Sequence, residues 1–346
     1  MSNFTKLLAA AATTAMTLAS ASGVLAQEYT FKLHHFLPGK APAQTKMLEP
    51  WAAQVEKNSG GKVKIEIFPS MSLGGKPPEL IQQARDGVVD LVWTVNGYTP
   101  GLFPRTEVFE LPGVFTNNTT ATNLAMYDMF ESDLKQEYQG VEVMWLHVHA
   151  GQAVMMVDKE VRSPADMVGM KMRIPNRTGS WVIETLGASP LATPVPEVPT
   201  ALSKKVIDGT LLPWEIIPSL KLQNQINYFM EGHDKERLGT TTFQVSMNKA
   251  RWDGLPPEIQ KAFRDASGRD WWGKVGEYWR ASDDAGIAVA EAAGKHHIMW
   301  TEAETAAFYT ALEPVVQKWV AEVTAAGIDG AALVKKAREL SAKNAK

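Results

Sequence analysis

The sequence predicts a two-domain α/β protein, and three observations lead to that prediction. The chain has 346 residues, a length that favours two domains over one. Segments with the two-residue period of a strand alternate along the chain with segments of helical period, the order expected for an α/β sheet. Hydrophobic residues make up 45% of the chain and charged residues 21%, which is typical of a folded protein with substantial cores.

The first residues predict a secretory signal peptide. Lys6 precedes a long run of small and apolar residues, and Val24 and Ala26 are small residues before a cleavage point. We therefore predict a signal peptide over residues 1–26 and a periplasmic mature protein. A membrane anchor is disfavoured because the run is rich in Ala, Ser and Thr. The chain has no cysteine, so its fold must depend on its cores rather than on disulfides.

The mature chain begins with alternating strands and helices. Ser59-Gly60-Gly61 ends the first predicted helix, and Pro77 and Pro78 begin the second, as prolines often do. The predicted elements are a strand at 29–33, a helix at 43–57, a strand at 62–69, a helix at 77–90 and a strand at 91–95. This order predicts one α/β unit.

A second α/β unit follows, and then a long helical stretch. The second unit consists of strands at 141–149 and 170–175, a helix around Trp181 to Leu186, a helix near Val198 to Val206 and a strand at 209–214. Residues 240–252 predict a returning strand, and a helical stretch with interruptions runs from Asp253 to about Ala293. A helix of about 35 residues would extend about 50 Å, longer than one lobe requires, so we expect it to bridge two lobes. Residues 302–343 predict two further amphipathic helices, separated near Gly327 and Gly330.

Five phrases, in order and with their spacing, resemble one protein family over essentially the whole mature chain. They are FPSMSLGG at 68–75, ELIQQARDGVVDL at 79–91, VFELPGVF at 108–115, SPADMVGMKMRIPN at 163–176 and ALSKKVIDG at 201–209. The chain resembles the solute-binding subunits of tripartite ATP-independent periplasmic (TRAP) transporters, the C4-dicarboxylate-binding-protein (DctP) family.

The resemblance implies a two-lobed periplasmic-binding-protein fold with a ligand cleft between the lobes and a long helix spanning the hinge. The predicted limits are residues 27–150 plus about 239–278 for lobe I, and 151–238 plus about 279–346 for lobe II. The implied partners are a small organic-acid ligand and the small and large TRAP membrane subunits. We expect a monomer. We also expect no binding of nucleic acid, since the formal net charge is −3 and no basic excess is present.

The resemblance also implies that one arginine holds the ligand's carboxylate, and in this sequence that arginine is Arg173. A guanidinium offers a planar fork of donors that matches both carboxylate oxygens. Arg173 lies where a short strand gives way to a loop, the usual position of ligand-binding residues in α/β folds. The other candidate substrate-binding residues lie in neighbouring strands, loops or helices and are His35, Trp93, Asn96, Asn176, Trp181, Trp214 and Glu215.

Three positions depart from the sugar-acid-binding members that the chain resembles. Ala153, Val95 and Leu212 stand where those members carry polar groups. Each ligand hydroxyl buried without a partner costs roughly 1–3 kcal/mol, so sugar acids are disfavoured. Three tryptophans near the cleft instead favour a monocarboxylate with an apolar or aromatic body. The alternative is a zwitterion of betaine or ectoine type, held by indole faces with Glu215 nearby.

Other function classes have less support from the sequence. His147 and His149 would share one face of a strand near His34 and His35, but no ordered carboxylate or cysteine spacing accompanies them, so we predict no metal. His296 and His297 are interpreted as a surface feature at a helix end. No motif of a nucleophilic or phosphate-binding site is present, so we predict no cofactor and no catalytic residues. A sensor subunit binding the same ligand, and a periplasmic enzyme, remain alternatives.

Overall fold

The computed structural model describes residues 28–346, which form two β-sheets and eleven α-helices. The proposed signal peptide lies outside these residues. Helices and strands alternate through most of the chain, which confirms the predicted α/β class. The extended alternating segments form the strands, and the segments with apolar residues every three to four positions form the helices that cover them.

The first sheet has five strands in the order β2-β1-β3-β10-β4. Its strands are β1 (Tyr29–His35), β2 (Val63–Phe68), β3 (Leu91–Val95), β4 (Val141–Val148) and β10 (Thr242–Asn248). β1 pairs in parallel with β2 and β3, whereas β10 runs antiparallel to β3 and β4. The helices between these strands are α1 (Glu49–Asn58), α2 (Leu80–Arg85) and α3 (Thr119–Met129), and α7 (Lys249–Asp253) and α8 (Pro257–Ala266) follow β10.

The second sheet has six strands in the order β11-β9-β5-β8-β6-β7. Its strands are β5 (Ala153–Met156), β6 (Lys171–Ile174), β7 (Ser189–Ala192), β8 (Gly209–Leu212), β9 (Tyr228–Glu231) and β11 (His296–Met299). Here β5 is the strand that runs antiparallel to its neighbours β8 and β9. The helices of this unit are α4 (Arg177–Thr185), α5 (Val198–Ser203) and α6 (Ile216–Leu220).

Two segments that lie next to each other connect the two sheets. Residues 149–152 lead from β4 to β5, and residues 232–241 lead back from β9 to β10. The backbone N–H of Gln152 donates to the carbonyl of Gly239 at 2.9 Å, and the N–H of Leu238 donates to the carbonyl of Gln152 at 3.1 Å. The two crossings are therefore bonded to each other and form a narrow connection between the sheets.

The long helix α9 (Arg269–Ala292) contacts both units. Its 24 residues extend about 36 Å. Near its start, the Thr119 hydroxyl of α3 donates to the carbonyl of Gly276 at 2.7 Å. Further along, the Asp283 carboxylate accepts the backbone N–H of Trp214 at 2.7 Å, and a Cβ at Gly286 would lie 2.0 Å from the carbonyl oxygen of Trp214. The predicted bridging helix is thus confirmed, and a glycine allows its close approach to the second unit.

Two C-terminal helices complete the chain. α10 (Glu302–Ala325) packs against α4, and α11 (Gly330–Asn344) packs against α3 on the side of the first sheet. The side-chain amide of Asn344 donates to Asp128 of α3 at 3.0 Å. The predicted domain limits assign residues 330–344 to lobe II, and those limits remain a proposal.

The structure corrects or refines three details of the predicted elements. The interruptions predicted in the helical stretch from Asp253 to Ala293 separate α7, α8 and α9, with one break at Ser267 and Gly268, so the bridging helix has 24 residues rather than about 35. His296 and His297 begin strand β11 rather than ending a helix. Residues 240–252, predicted as one strand, contain β10 followed by most of α7. None of the predicted elements covers α3, β5, β7, α6, β9 or β11, which are short or lack regular periodicity.

Candidate functional site

A cavity lies between the two sheets, at the carboxyl ends of the parallel strands β1, β3, β6 and β8. It contains about 400 Å³ of space free of protein atoms, including space open to solvent. Most of its walls are apolar. The lining residues are Phe36, Leu37, Trp93, Val95, Tyr98, His149, Arg173, Pro175, Val195, Leu211, Leu212, Pro213, Glu215, Ile216, Thr241, Phe243 and Trp279.

Stacked rings form the wall on the side of the first sheet. Phe36 stacks on Trp93 with centroids 4.8 Å apart and planes 9° apart, and Trp93 stacks on Phe243 at 5.3 Å and 4°. Trp279 of α9 continues this layer, 6.0 Å from Phe243 and tilted by 21°. The rings come from β1, β3, β10 and the bridging helix, so the folding of the hinge region also builds the wall. These rings make this side of the cavity an apolar, aromatic wall.

Arg173 is the buried cation of this cavity. Its side chain leaves the end of β6, and the residue is 1% exposed. Nε donates to the carbonyl of Thr193 at 2.8 Å and Nη1 to the carbonyl of Leu211 at 3.2 Å, so two backbone groups fix the guanidinium. Burial lowers the pKa of Arg173 to about 10, and the adjacent Tyr98 opposes this shift. Within residues 28–346 no carboxylate pairs with Arg173, so the guanidinium retains N–H donors for an anion.

Two histidines that contact the ring layer are neutral. Burial lowers the pKa of His147 to about 3, and it lowers the pKa of His149 well below its usual value. Trp93 Nε1 donates to His147 Nε2 at 2.9 Å, which places the His147 proton on Nδ1. The backbone N–H of Gly151 donates to His149 Nδ1 at 3.0 Å, so His149 carries its proton on Nε2. His149 lines the cavity and therefore adds a neutral donor to its wall.

Of the eight candidate binding residues, the structure places Arg173, Trp93 and Glu215 in the cavity wall. Asn96 lies within the first unit, where it donates to the Tyr138 hydroxyl at 3.2 Å and accepts from the Gln244 amide at 2.8 Å. His35 contacts Gln44 through Nε2 at 3.0 Å and lies behind Trp93.

The other three candidates have contacts outside the cavity lining. Asn176 caps α4 by accepting the N–H of Gly179 at 2.8 Å. Trp181 lies under the charged ends of Arg177 and Lys318, between α4 and α10. Trp214 is fully buried in the second unit, where its Nε1 donates to Glu231 at 3.0 Å.

Two of the three positions that depart from sugar-acid binders, Val95 and Leu212, are cavity walls. Ala153 is the β5 neighbour of Leu212. The sequence reasoning missed six lining residues with aromatic or polar groups: Phe36, Tyr98, His149, Thr241, Phe243 and Trp279. For Phe36, His149 and Phe243, their position at a strand end next to a predicted cleft strand could have signalled this. Nothing local to the sequence of α9 distinguishes Trp279 from Trp271 or Trp272.

Polar contacts close the two units over the cavity. Glu110 of the first unit accepts hydrogen bonds from Asn176 Nδ2 at 2.8 Å and from the Thr178 hydroxyl at 3.0 Å. Arg177 of α4 binds Glu107 through Nη2 at 2.6 Å and Nε at 2.8 Å. The Tyr98 hydroxyl accepts the backbone N–H of Val195 at 2.9 Å. We call these contacts the seam, defined by Tyr98, Glu107, Glu110, Asn176, Arg177, Thr178 and Val195.

Residues 28–346 lack two features, a metal-binding cluster and a membrane-spanning helix. No three His, Asp or Glu side chains in this range are arranged to hold a metal ion. No helix of this range combines the length and apolar character needed to cross a membrane.

Comparisons with known proteins agree on one family. The profile described as "Bacterial extracellular solute-binding protein, family 7" matches residues 33–322. Among curated proteins, the ectoine/5-hydroxyectoine-binding periplasmic protein UehA of Ruegeria pomeroyi is 26% identical over 94% of both chains.

Two solved structures are similar over almost the whole chain, and both are two-lobed TRAP solute-binding proteins. One, from Rhodoferax ferrireducens, contains copurified benzoate; it is 37% identical, with a TM-score of 0.89 over 91% of this chain and 98% of its own. The other is a marine metagenome protein described as specific for aromatic acid ligands, in complex with 3-hydroxybenzoate. It is 38% identical, with a TM-score of 0.90 over 92% of this chain and 100% of its own. These matches confirm the predicted two-lobed fold.

Proposed function

Because the chain belongs to the bacterial extracellular solute-binding protein family 7 and is a TRAP solute-binding protein, we propose that it captures an aromatic monocarboxylate on Arg173. The observation that carries this proposal is a buried guanidinium that lines the same cavity as a layer of stacked rings. This guanidinium has no carboxylate partner in residues 28–346. A buried charge is costly unless it is paired, so the cavity favours an anion.

The rings determine the body of the ligand. Phe36, Trp93, Phe243 and Trp279 form an aromatic wall, against which a rigid benzene ring can pack at little cost in conformational entropy. A sugar acid would instead leave its hydroxyls against Val95 and Leu212, where no hydrogen bond is available. The benzoate and 3-hydroxybenzoate complexes of the two similar structures support the same ligand class.

Closure is part of binding in this proposal. The ligand contacts Arg173 on one lobe and the rings on the other, so it binds the closed form better than the open form. Such differential affinity is what shifts the equilibrium between two conformations. The closed protein then delivers the ligand to TRAP membrane subunits. A sensor role would use the same closure but a different membrane partner.

The test is binding by isothermal titration calorimetry, using protein that starts at Gln27 and has been unfolded and refolded to remove copurified ligand. The panel contains benzoate, phenylacetate, cyclohexanecarboxylate, glucuronate, malate and ectoine. We expect benzoate or phenylacetate to bind most tightly. We expect Arg173→Met to weaken binding by at least about 100-fold, since charge-assisted hydrogen bonds contribute about 1.5–3 kcal/mol each. Arg173→Lys should also weaken it, because an ammonium lacks the planar fork.

Arg162→Met is the matched control, because Arg162 is exposed in the same lobe and pairs with Glu304 at its surface. Its affinity should equal that of the wild type. Unchanged affinity in Arg173→Met would refute the role of Arg173. Binding of only ectoine, or of only sugar acids, would refute the aromatic ligand. Recovery of a chemically altered acid after incubation would favour the enzyme alternative, and labelled-benzoate uptake dependent on co-expressed TRAP membrane subunits would separate transport from sensing.

A further inference from the structure

A second polar group of the cavity, the Glu215 carboxyl, has an unused hydrogen-bonding atom. Glu215 follows β8, immediately before α6, and it lines the cavity beside Leu212 and Ile216. The residue is 5% exposed. Its Oε2 atom is buried and has no hydrogen-bond partner among residues 28–346. Leaving a buried acceptor or donor unpaired costs about 1–3 kcal/mol, so this atom favours a ligand that supplies the missing partner.

The surroundings of Glu215 keep its carboxyl neutral. Burial raises its pKa well above the usual range, and the negative charge of Asp283 on α9 raises it further. Within the described chain, no lysine, arginine or histidine forms an ion pair with Glu215, whereas Asp283 itself is paired with Arg237 at 2.7 Å. A neutral carboxyl has one O–H donor and a carbonyl acceptor, so it can pair with a hydroxyl group in either direction.

Glu215 and Arg173 belong to neighbouring strands. β6 and β8 are paired, with Arg173 opposite Thr210, and Glu215 lies five residues beyond Thr210 where the chain turns into α6. The residues between them that line the cavity are Leu211, Leu212 and Pro213, whose side chains are apolar. The second lobe thus presents a cation and a neutral acid separated by an apolar surface. A ligand complementary to this wall has a carboxylate, a ring and a hydroxyl.

We propose that Glu215 pairs with a hydroxyl group on the ligand ring, so that the cleft selects hydroxylated aromatic acids over unsubstituted ones. This inference rests on the proposed function and specifies its ligand. A site that offers a hydrogen bond discriminates strongly against an analogue without the partner group, because its own polar atom is then left unpaired. A cationic ligand group is disfavoured here, because it would require Glu215 to ionise beside Asp283.

The test compares benzoate with 3-hydroxybenzoate and 4-hydroxybenzoate in the wild type and in three variants. In the wild type we expect one hydroxybenzoate to bind about ten-fold or more tightly than benzoate, which corresponds to about one satisfied buried group. Glu215→Leu should abolish that ratio while benzoate affinity stays equal or rises. Glu215→Gln, which keeps a neutral donor and acceptor, should retain most of the ratio. Glu184→Leu is the matched control, because Glu184 lies outside the cavity lining, at the surface of α4 beside Lys318, and should leave the ratio unchanged.

The outcomes separate this inference from the proposed function. Equal affinity for benzoate and both hydroxybenzoates in the wild type overturns the inference, as does a ratio that survives in Glu215→Leu or disappears in Glu184→Leu. A Glu215-dependent affinity for ectoine overturns it as well, since Glu215 would then bind a cation. In each of these cases the Arg173 variants still report on carboxylate capture. A melting temperature of the ligand-free variants close to that of the wild type shows that they have folded.

Discussion

Gly97 and Asn176 approach each other so closely across the two lobes that a Cβ atom on Gly97 would lie 2.4 Å from the Cβ of Asn176. Gly97 follows β3 of the first sheet, and Asn176 caps α4 of the second unit. No real side chain tolerates a contact of that length, so only glycine at position 97 permits the lobes to meet in this way. The contact depends on closure and not on the fold of either lobe.

Gly97→Ala should therefore hinder closure without unfolding either lobe. We expect aromatic-acid affinity to fall by at least about ten-fold, because a closed form made less favourable by 1.4 kcal/mol reduces binding by that factor. Small-angle X-ray scattering should show a larger radius of gyration with ligand than in the wild type. Gly268→Ala is the matched control, since a Cβ there meets no atom within 4 Å. If Gly97→Ala had the affinity of the wild type and the same radius of gyration with ligand, the seam would have relaxed around the added methyl group and the prediction would be wrong.

The ion pair between Glu107 and Arg177 should stabilise the closed form. The Glu107 side chain is only 4% exposed, and Arg177 binds it through two nitrogens. Arg177→Met leaves a buried, unpaired carboxylate when the lobes close, a situation that costs about 3–5 kcal/mol when a buried pair is broken. We expect a loss of affinity of about ten-fold or more, less than that cost implies because Arg177 is partly exposed.

The double variant Glu107→Gln, Arg177→Met should recover much of this affinity, since it removes the unpaired charge as well. Calorimetry on the two single variants and the double variant gives the coupling energy. Additive losses would mean that the pair does not act as a unit in closure. Lys318→Met, which removes the other cation over Trp181, controls for changes at the surface of α4.

Arg173 and Asn176 illustrate how far the sequence could predict the site. Arg173 lies near the end of strand β6 and Asn176 follows the strand, and both were predicted to bind the ligand. Arg173 lies in the cavity wall because its position at the strand end fixes its direction. Asn176 lies three residues later, where the chain has already turned into α4, and there its amide contacts Glu110 in the seam. Strand periodicity gives the direction of a side chain within a strand, but not beyond the turn that ends it.

The long-range part of the site could not be read from local patterns. Trp279 reaches the cavity only because α9 crosses both lobes, and Glu110 meets Thr178 only when the lobes close. Such contacts depend on the relative position of elements far apart in sequence. Trp214 was predicted to line the cleft because it follows a cleft strand. Its ring is instead buried in the second unit, where it stacks on Phe229 with centroids 5.1 Å apart.

Trp279 should contribute to the recognition of a ring. We expect Trp279→Leu to weaken benzoate binding by about ten-fold and cyclohexanecarboxylate binding by less, because an aromatic contact contributes about 0.5–1.5 kcal/mol beyond its buried area. Trp271→Leu is the matched control on the same helix, since Trp271 packs against Trp145 in the first unit. Equal losses for both ligands in Trp279→Leu would assign Trp279 a purely apolar role.

Glu110 should make the closed protein less stable as the pH rises. Burial, and after it the negative charge of the nearby Glu107, raise the pKa of Glu110 to about 8. In the unfolded chain the carboxyl ionises near its usual value of 4.5, so the folded state binds the extra proton between about pH 4.5 and 8. Stability is therefore greatest below that window and falls as the pH rises through it. Two other buried groups change their protonation at lower pH. Burial raises the pKa of Glu137 to about 7, so its contribution to stability falls as the pH rises toward 7. Burial lowers the pKa of His147 to about 3, so its contribution to stability rises with pH up to about 6.5.

Between pH 7 and 8 Glu110 contributes to this fall together with Glu215, whose pKa burial raises, and His297, whose pKa the hydrogen bond with Glu231 raises. Thermal unfolding of ligand-bound protein should show a melting temperature that falls across this interval in the wild type and falls less steeply in Glu110→Gln. The glutamine keeps the acceptor for Thr242, whose N–H binds Glu110 at 2.9 Å, but it cannot ionise. Glu137→Gln is the control, and it should flatten the curve mainly below pH 7. A wild-type slope between pH 7 and 8 that persists undiminished in Glu110→Gln would mean that the Glu110 carboxylate is ionised in the closed form, held by its four donors.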